Sequence, residues 1–380
     1  MSDLPINTNA FVVLSLKPRN GCKVWKDYRF QADVFYMYHI MKTHGFDDDH
    51  ISLWAFNDMV NNSLNPYKGQ MFHLLDNKNI YPGDDKLDFQ GPAVNRLDFL
   101  QYLRNLNTTK DDNIFFYFND HGSPNILYLP YGQFLTSYEV LRVIKQMQKD
   151  GKFNKMFFAI EACFSGCFKE SYNNIPNVAI MTAANCSTTS KSYLNRLLGT
   201  SLSNEFSINL MMEIEGNPKH TLRSLHEIVR EKVHNSTPLL FGQNLDDPLS
   251  DYIGEGPKSS LRRQSYEDLS LDDKILHPEK YTKKEIAEKY QKQLKHMKQV
   301  AEDNEIFIRR VVEKVAGPRA SEFMNKVITG DVQQCFEPVI EALFAKMKEF
   351  NPDYVYLISP IKTLCTKYSS SVIIDAINSV

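Results

Sequence analysis

Glycine is scarce in this chain, with 16 residues in 380, and no G-x-x-x-x-G-K-[ST] phosphate loop can be read in it. His-Glu-x-x-His is absent, and no cysteine/histidine set has metal-ligand spacing. The expectation is therefore chemistry without a metal or cofactor. Long apolar runs are missing too. The longest, "AFVVLSL" and "NIFFYF", are far too short to cross a bilayer, so no membrane span is expected. No charge of one sign dominates: the net charge is −2 and the pI about 6.6, which argues against a nucleic-acid groove. Six cysteines are too few for a disulfide scaffold. The start, "MSDLPINTNAFVV", lacks a basic stretch followed by an apolar core. It reads as a cytosolic chain or as one whose leader has been removed. Four N-x-[ST] triplets, at Asn61, Asn107, Asn185 and Asn235, are glycan acceptors in a secreted chain and chance matches otherwise.

What is present is a strand–helix rhythm. Strands are expected at 10–16, 50–56, 113–119, 155–163 and 177–185, with helices at 30–45, 93–106 and 136–151. Gly45 supplies a stop for the first helix. The strands are continuously apolar rather than alternating, as in a parallel sheet covered by helices on both faces. From about Asp246 the chain becomes rich in Asp, Ser, Gly and Pro, which reads as a linker. From about His277 it reads as helical. The plan is an α/β domain over 1–245, a linker over 246–276 and an all-α domain over 277–380.

One stretch carries the chemical question. "FFYFNDHGSP" (115–124) ends an apolar strand in a histidine and a glycine, and "KMFFAIEACFSG" (155–166) ends another in a cysteine. In open parallel sheets, ligands bind beyond the carboxyl ends of the strands. If these two strands are neighbours, His121 and Cys163 emerge on one edge. An imidazole there can take the thiol proton or hold the thiolate as an ion pair, lowering the cysteine pKa well below about 8.5. Gly122 lets the backbone approach a substrate carbonyl, and its N–H and that of Cys163 are candidate oxyanion donors. A lone cysteine at a strand end is ordinarily a small core residue. It is the pair, histidine before cysteine and each ending an apolar strand, that points to nucleophilic catalysis.

The motifs "FYFNDHGSPNILYLP" and "KMFFAIEACFSGCF", with "DYRFQAD", "NPYKGQ" and "TAAN", resemble those of the legumain (asparaginyl endopeptidase) family of cysteine proteases. The resemblance covers most of 10–245. It implies a caspase-like fold, Cys163 as nucleophile and His121 as its acid/base partner. Asp27 stands where the family has an asparagine touching that histidine; a carboxylate would favour the charged imidazolium. Arg29 and Glu161 match a pocket arginine and carboxylate that read an asparagine side chain. Asn204 aligns with the other pocket carboxylate, Thr189 or Ser190 with a pocket serine, and Phe30 replaces a histidine. Losing one carboxylate makes the pocket less negative and more tolerant of aspartate.

The tail, with Cys335 and Cys365, resembles the family's prodomain. That implies a zymogen in which the chain's own helical region is the inhibitor, released by acid and self-cleavage after Asn244, Asp246, Asp247, Asp251, Asp272 or Asp273. Lysines of 283–298 would pair with carboxylates of the α/β domain. A Cys335–Cys365 disulfide would close a loop of about 30 residues, stabilise by roughly 3–4 kcal/mol and require an oxidising compartment. Cys167 reads as packing, and Cys22 and Cys186 have no evident role. Peptide and protein substrates are implied, cystatin-like inhibitors are compatible, and some relatives ligate peptides. Two rival readings remain: a transferase like the GPI transamidase, and a catalytically dead caspase-like interaction module.

Overall fold

A computed structural model describes residues 8–13, 25–76, 78–130, 133–172, 174–195, 200–256, 283–324, 332–347 and 349–380. The strands are β1 (Thr8–Val13), β2 (Ile51–Ala55), β3 (Phe89–Gln90), β4 (Asn113–Asn119), β5 (Gly122–Ser123), β6 (Ile126–Leu129), β7 (Gln133–Thr136), β8 (Lys155–Glu161), β9 (Val178–Thr182), β10 (Ser192–Asn195), β11 (Thr200–Asn204) and β12 (Leu239–Gly242). The α-helices of the same region are α1 (Tyr28–Thr43), α2 (Arg96–Arg104), α3 (Ser137–Lys149), α4 (Phe168–Ser171), α5 (Glu205–Gly216), α6 (Leu222–Lys232) and α7 (Ser250–Ile253). After it come α8 (Lys283–Ala316), α9 (Ala320–Met324), α10 (Gln333–Lys346), α11 (Ser359–Leu364) and α12 (Ser370–Ser379).

Seven strands form one sheet in the order β12-β9-β8-β4-β1-β2-β3. All neighbours are parallel except β12, which pairs antiparallel with β9. From Ile114 to Asn119 every residue of β4 is buried, as is every residue of β8 from Met156 to Glu161. Burial without alternation means both faces of the sheet are covered. Phe115 and Phe116 on β4 stack on Phe157 and Phe158 of β8, ring on ring along the parallel register. Local signals set the flanking helices. Thr136 and Glu139 form a reciprocal capping box at the start of α3, and α1 stops before Gly45, whose φ of 95° suits glycine.

Three features were not legible in the sequence. Directly after the histidine, residues 122–129 and 133–136 form a small antiparallel sheet β5-β6-β7. Its strands are too short and too interrupted by Pro and Asn to show a period. The first strand is Thr8–Val13, earlier than the apolar run suggests, and 14–24 lies outside the described residues. Composition places residues 246–256 in a linker, yet Leu249, Tyr252 and Ile253 are fully buried in the α/β core. Lys155 at the start of β8 pairs with both Asp247 and Asp251. Polar composition concealed three apolar anchors.

The helices after residue 283 share a second hydrophobic cluster, and it reaches into the α/β region. Phe336, Phe344 and Phe350 pack with Tyr128 and Phe134 of the small sheet. Cys335 and Cys365 are disulfide-bonded, fastening α10 to the end of α11.

Candidate active site

The last paired residues of β4 and β8 are Asn119 and Glu161. His121 and Cys163 each follow two positions later, so they leave the same sheet edge at the same level. The Asp120 N–H donates to the Glu161 carbonyl at 3.0 Å, which carries the pairing one step further. Gly122 then lies against the cysteine turn. A Cβ there would collide with the Cys163 carbonyl oxygen and sit 3.0 Å from Ala162 Cβ. Only glycine allows this approach. Phe164 adopts φ 57°, a left-handed conformation unusual for a bulky residue, which costs of order 1 kcal/mol and turns the chain sharply after Cys163.

The cysteine turn leans on the loop after β9. The Phe164 N–H donates to the Thr188 carbonyl at 2.9 Å, and the Cys163 Sγ lies 3.8 Å from the Ser190 carbonyl. A Cys167–Cys186 disulfide fastens the two together. This corrects the reading of Cys167 as simple packing and of Cys186 as without a role. The partners sit on motifs either side of β9, and only the β8–β9 pairing brings them together. Cys22 lies outside the described residues.

Asp27, at the entrance to α1, touches the imidazole: His121 Nε2 is 3.1 Å from Asp27 Oδ1. Phe30 packs its ring edge-on against the same imidazole at 4.8 Å. Burial raises the Asp27 carboxyl, but His121, Arg29 and Lys26 outweigh it and hold it below its ordinary value. For His121 the balance goes the other way. Burial pushes it down to about 4, against the upward pull of Asp27, so the neutral imidazole prevails at neutral pH. Burial likewise pushes the Cys163 thiol up to about 11. Proximity alone allows either a neutral imidazole that takes the thiol proton or a thiolate–imidazolium pair. In the covered chain desolvation wins, and the pair rests uncharged.

Arg29 and Glu161 occupy the flank of this site, and neither is consumed by the other. Arg29 Nε donates to Asn204 Oδ1 at 2.9 Å, and its Nη1 donates to the Lys26 carbonyl at 2.5 Å and faces Asp27 Oδ1 at 3.4 Å. Glu161 accepts from the Ser190 hydroxyl and, at 3.2 Å, from that of Ser207. Burial lifts its pKa to about 8, with Asp33 adding to the rise. Ser190 is thus the serine beside the carboxylate; Thr189, half-buried, makes no hydrogen bond to it among the described residues. Asn204 ends β11, and its amide donates to Asp33 Oδ2 at 2.8 Å and to Asn119 Oδ1 at 3.2 Å. Asp33, His73 and Ser207 were not singled out in the sequence. Asp33 lay in plain view inside "DYRFQAD", four positions from Arg29 and so on the same face of α1.

Two of these shifts act oppositely on stability. His121 has a folded pKa below its ordinary 6.5, so the unfolded chain takes the proton first and stability falls as pH drops from about 6.5 towards 4. Glu161 has a folded pKa above its ordinary value, so its contribution is complete below about 4.5 and fades as pH rises towards 8.

The helices after 283 lie over this edge. The Gln293 side chain accepts from the Trp25 N–H at 3.2 Å, two residues before Asp27. The Lys362 ammonium reaches the Pro124 carbonyl at 3.5 Å, three residues after His121. Arg96, held by Glu139, also pairs with Glu337 of α10. Lys292, Lys295 and Lys298 are exposed, and Lys298 pairs with Glu302 on its own helix. Lys292, Lys295 and Lys298 therefore make no ion pair with the α/β region among the described residues, and the side chains of Lys283, Lys284 and Lys289 lie outside them; the Arg96–Glu337 pair has its carboxylate on the helical side. A cavity of about 550 Å³ remains between α8, α9, the turn before α11, and Pro124 and Phe164.

A thiol and an imidazole on adjacent strand ends, with a half-buried arginine and a buried carboxyl beside them, are the groups that cysteine-peptidase chemistry needs. The sequence profile of the peptidase C13 family matches residues 19–254. The chain is 30% identical over 270 residues to the vacuolar-processing enzyme delta-isozyme of Arabidopsis thaliana, covering 63% of this chain and 58% of that one. It is 30% identical over 238 residues to legumain of Mus musculus, covering 58% and 54%. It is 28% identical over 277 residues to hemoglobinase of Schistosoma mansoni, covering 68% and 63%. The chain therefore belongs to the peptidase C13 family of legumain-type cysteine peptidases. It spans little more than half the length of the first two relatives.

Proposed function

We propose that this chain is a cysteine endopeptidase cutting after asparagine, with aspartate tolerated, and that it is made as a zymogen inhibited by its own C-terminal helices. The observation that carries the reading is the β4–β8 register, which brings His121 and Cys163 off one edge at one level. Cys163 Sγ attacks the scissile carbonyl while its proton passes to His121. The tetrahedral oxyanion is held by the N–H groups of Gly122 and Cys163. His121 returns the proton to the leaving amine, leaving a thioester. Water then resolves the thioester to an acid, or an incoming peptide amine resolves it to a new peptide bond. Arg29 serves the side-chain carbonyl of the substrate and Glu161 its amide. At acid pH the Glu161 carboxyl is protonated, which removes a negative charge from the pocket and supports tolerance of aspartate. The assay is a fluorogenic peptide with asparagine before the scissile bond, at acid pH. Absence of turnover, or turnover that survives iodoacetamide treatment of Cys163, overturns the reading.

Inhibition follows from burial. The helices lie over the edge that carries the thiol and imidazole, and in this reading their departure would let Cys163 ionise more readily and His121 take a proton. Asn244, Asp246, Asp247 and Asp251 lie in the folded end of the α/β region, where Asp247 and Asp251 pair with Lys155 and the exposed Asp246 pairs with Arg223. Self-cleavage is therefore assigned to Asp272 or Asp273, which lie outside the described residues. The Arg96–Glu337 ion pair is one of the contacts that release of the helices must break. Incubation at acid pH is expected to release a fragment carrying α8–α12 and to raise turnover, read by electrophoresis and the peptide assay together. An intact chain at full activity would contradict the zymogen.

Asp27→Asn removes what raises the His121 pKa against burial. The acid limb of the kcat/KM profile should then move to lower pH. A profile that stays in place would show that Asp27 does not tune the imidazole.

A further inference from the structure

The pocket arginine is held by a buried network that the reaction itself does not use. Asp33 sits on α1 one turn after Arg29 and is fully buried, as is its partner His73. Its carboxylate accepts four hydrogen bonds. Oδ1 takes His73 Nε2–H at 2.8 Å. Oδ2 takes the Asn119 amide at 3.0 Å, the Asn204 backbone N–H at 3.2 Å and the Asn204 side-chain amide at 2.8 Å. The histidine is itself fixed. Its Nδ1 accepts from the Leu75 N–H at 3.2 Å, so the ring proton resides on Nε2 and is donated to Asp33. Tyr36 stacks on the imidazole at 4.3 Å with an interplanar angle of 8°.

This network decides which way Asn204 points. Its NH₂ faces Asp33 and the Asn119 carbonyl oxygen, so its own oxygen must face Arg29, where it accepts from Nε at 2.9 Å. Nε and Nη1 of Arg29 are therefore spent on the protein, and Nη2 makes no hydrogen bond among the described residues. Resting on the endopeptidase reading above, we infer that Asp33, oriented by His73, is a positioning residue. It fixes the Asn204 amide so that the Arg29 guanidinium offers Nη2 to the carbonyl of a substrate asparagine.

The mechanism makes the effect specific. In Asp33→Asn a carboxylate that accepts four donors becomes an amide with one acceptor oxygen. If that oxygen stays at the Oδ2 position, the new NH₂ meets His73 Nε2–H donor to donor; if it turns to His73, the NH₂ meets the Asn204 amide, which must turn its own NH₂ towards Arg29 Nε, and the guanidinium loses its seat. Exchanging the two groups, as Asp33→Asn with Asn204→Asp, restores a carboxylate–amide contact and gives Arg29 an acceptor again.

The test uses the full chain after acid incubation and a fluorogenic asparagine peptide, with iodoacetamide alkylation of Cys163 as a readout that needs no pocket. Asp33→Asn should raise KM about tenfold or more, change kcat by less than about threefold, and leave the alkylation rate unchanged. The double exchange should recover most of the lost affinity, a rescue that a purely structural role does not foresee. If Asp33→Asn does not fold, His73→Phe decides. It keeps the stack on Tyr36, removes one donor to Asp33, and should raise KM about threefold. A wild-type KM in whichever variant folds, or a double exchange as impaired as Asp33→Asn, overturns the positioning role alone. A wild-type chain that never turns over the peptide overturns the endopeptidase reading and this inference with it.

Discussion

Cys163→Ala should abolish peptide hydrolysis, lowering kcat by about four orders of magnitude or more while leaving thermal stability nearly unchanged. The asymmetry follows from what the sulfur does. Its one polar contact among the described residues is a long one, 3.8 Å to the Ser190 carbonyl, and burial keeps it as a neutral thiol near pH 7, with a pKa of about 11. A methyl group in the same half-buried place forfeits little packing. The turn around it is held by other groups: the Phe164 N–H on Thr188, the Cys167–Cys186 disulfide, and Gly122 against the Cys163 carbonyl. A large loss of rate with an unmoved melting temperature, read by peptide assay and calorimetry, separates a nucleophile from a core cysteine. Residual turnover near the wild-type rate would end the thioester mechanism.

Arg29→Met should lower kcat/KM for an asparagine peptide by about a thousandfold. The guanidinium is mostly buried, and its Nε and Nη1 are bound to Asn204, Lys26 and Asp27. Methionine keeps much of the volume and removes the donors. A substrate amide then enters a buried pocket with its carbonyl unpaired, which is the circumstance in which polar sites discriminate most strongly. Asp27 also loses a cationic neighbour, so some of the loss will fall on kcat through His121. Measuring both constants separates the two routes. If only kcat falls and KM is that of the wild type, Arg29 supports Asp27 rather than the substrate.

Much of this site is legible in the chain itself. An apolar strand that stops in His-Gly and another that stops in Glu-Ala-Cys need only be neighbours to form a reactive pair, and the β4–β8 pairing makes them so. Such signals survive because β-strands are local and a buried parallel sheet demands continuous apolar runs. The short strands of 122–136 were not legible, because four-residue segments carry no period to read. Nor were the anchors Leu249, Tyr252 and Ile253 in a polar stretch, since burial there depends on what the folded core offers them.

The order of elements, the identity of the paired side chains and the covering helices are properties of the sequence, since local periodicity and residue chemistry specify them. Charge state, the Cys167–Cys186 bond and the hydrogen-bond hub on Asp33 belong to the tertiary structure alone. An imidazole beside a carboxylate would be charged in water, yet at the covered sheet edge burial outweighs the partner and holds it neutral. Desolvation is set by everything packed around a group, and no pattern along the chain encodes it.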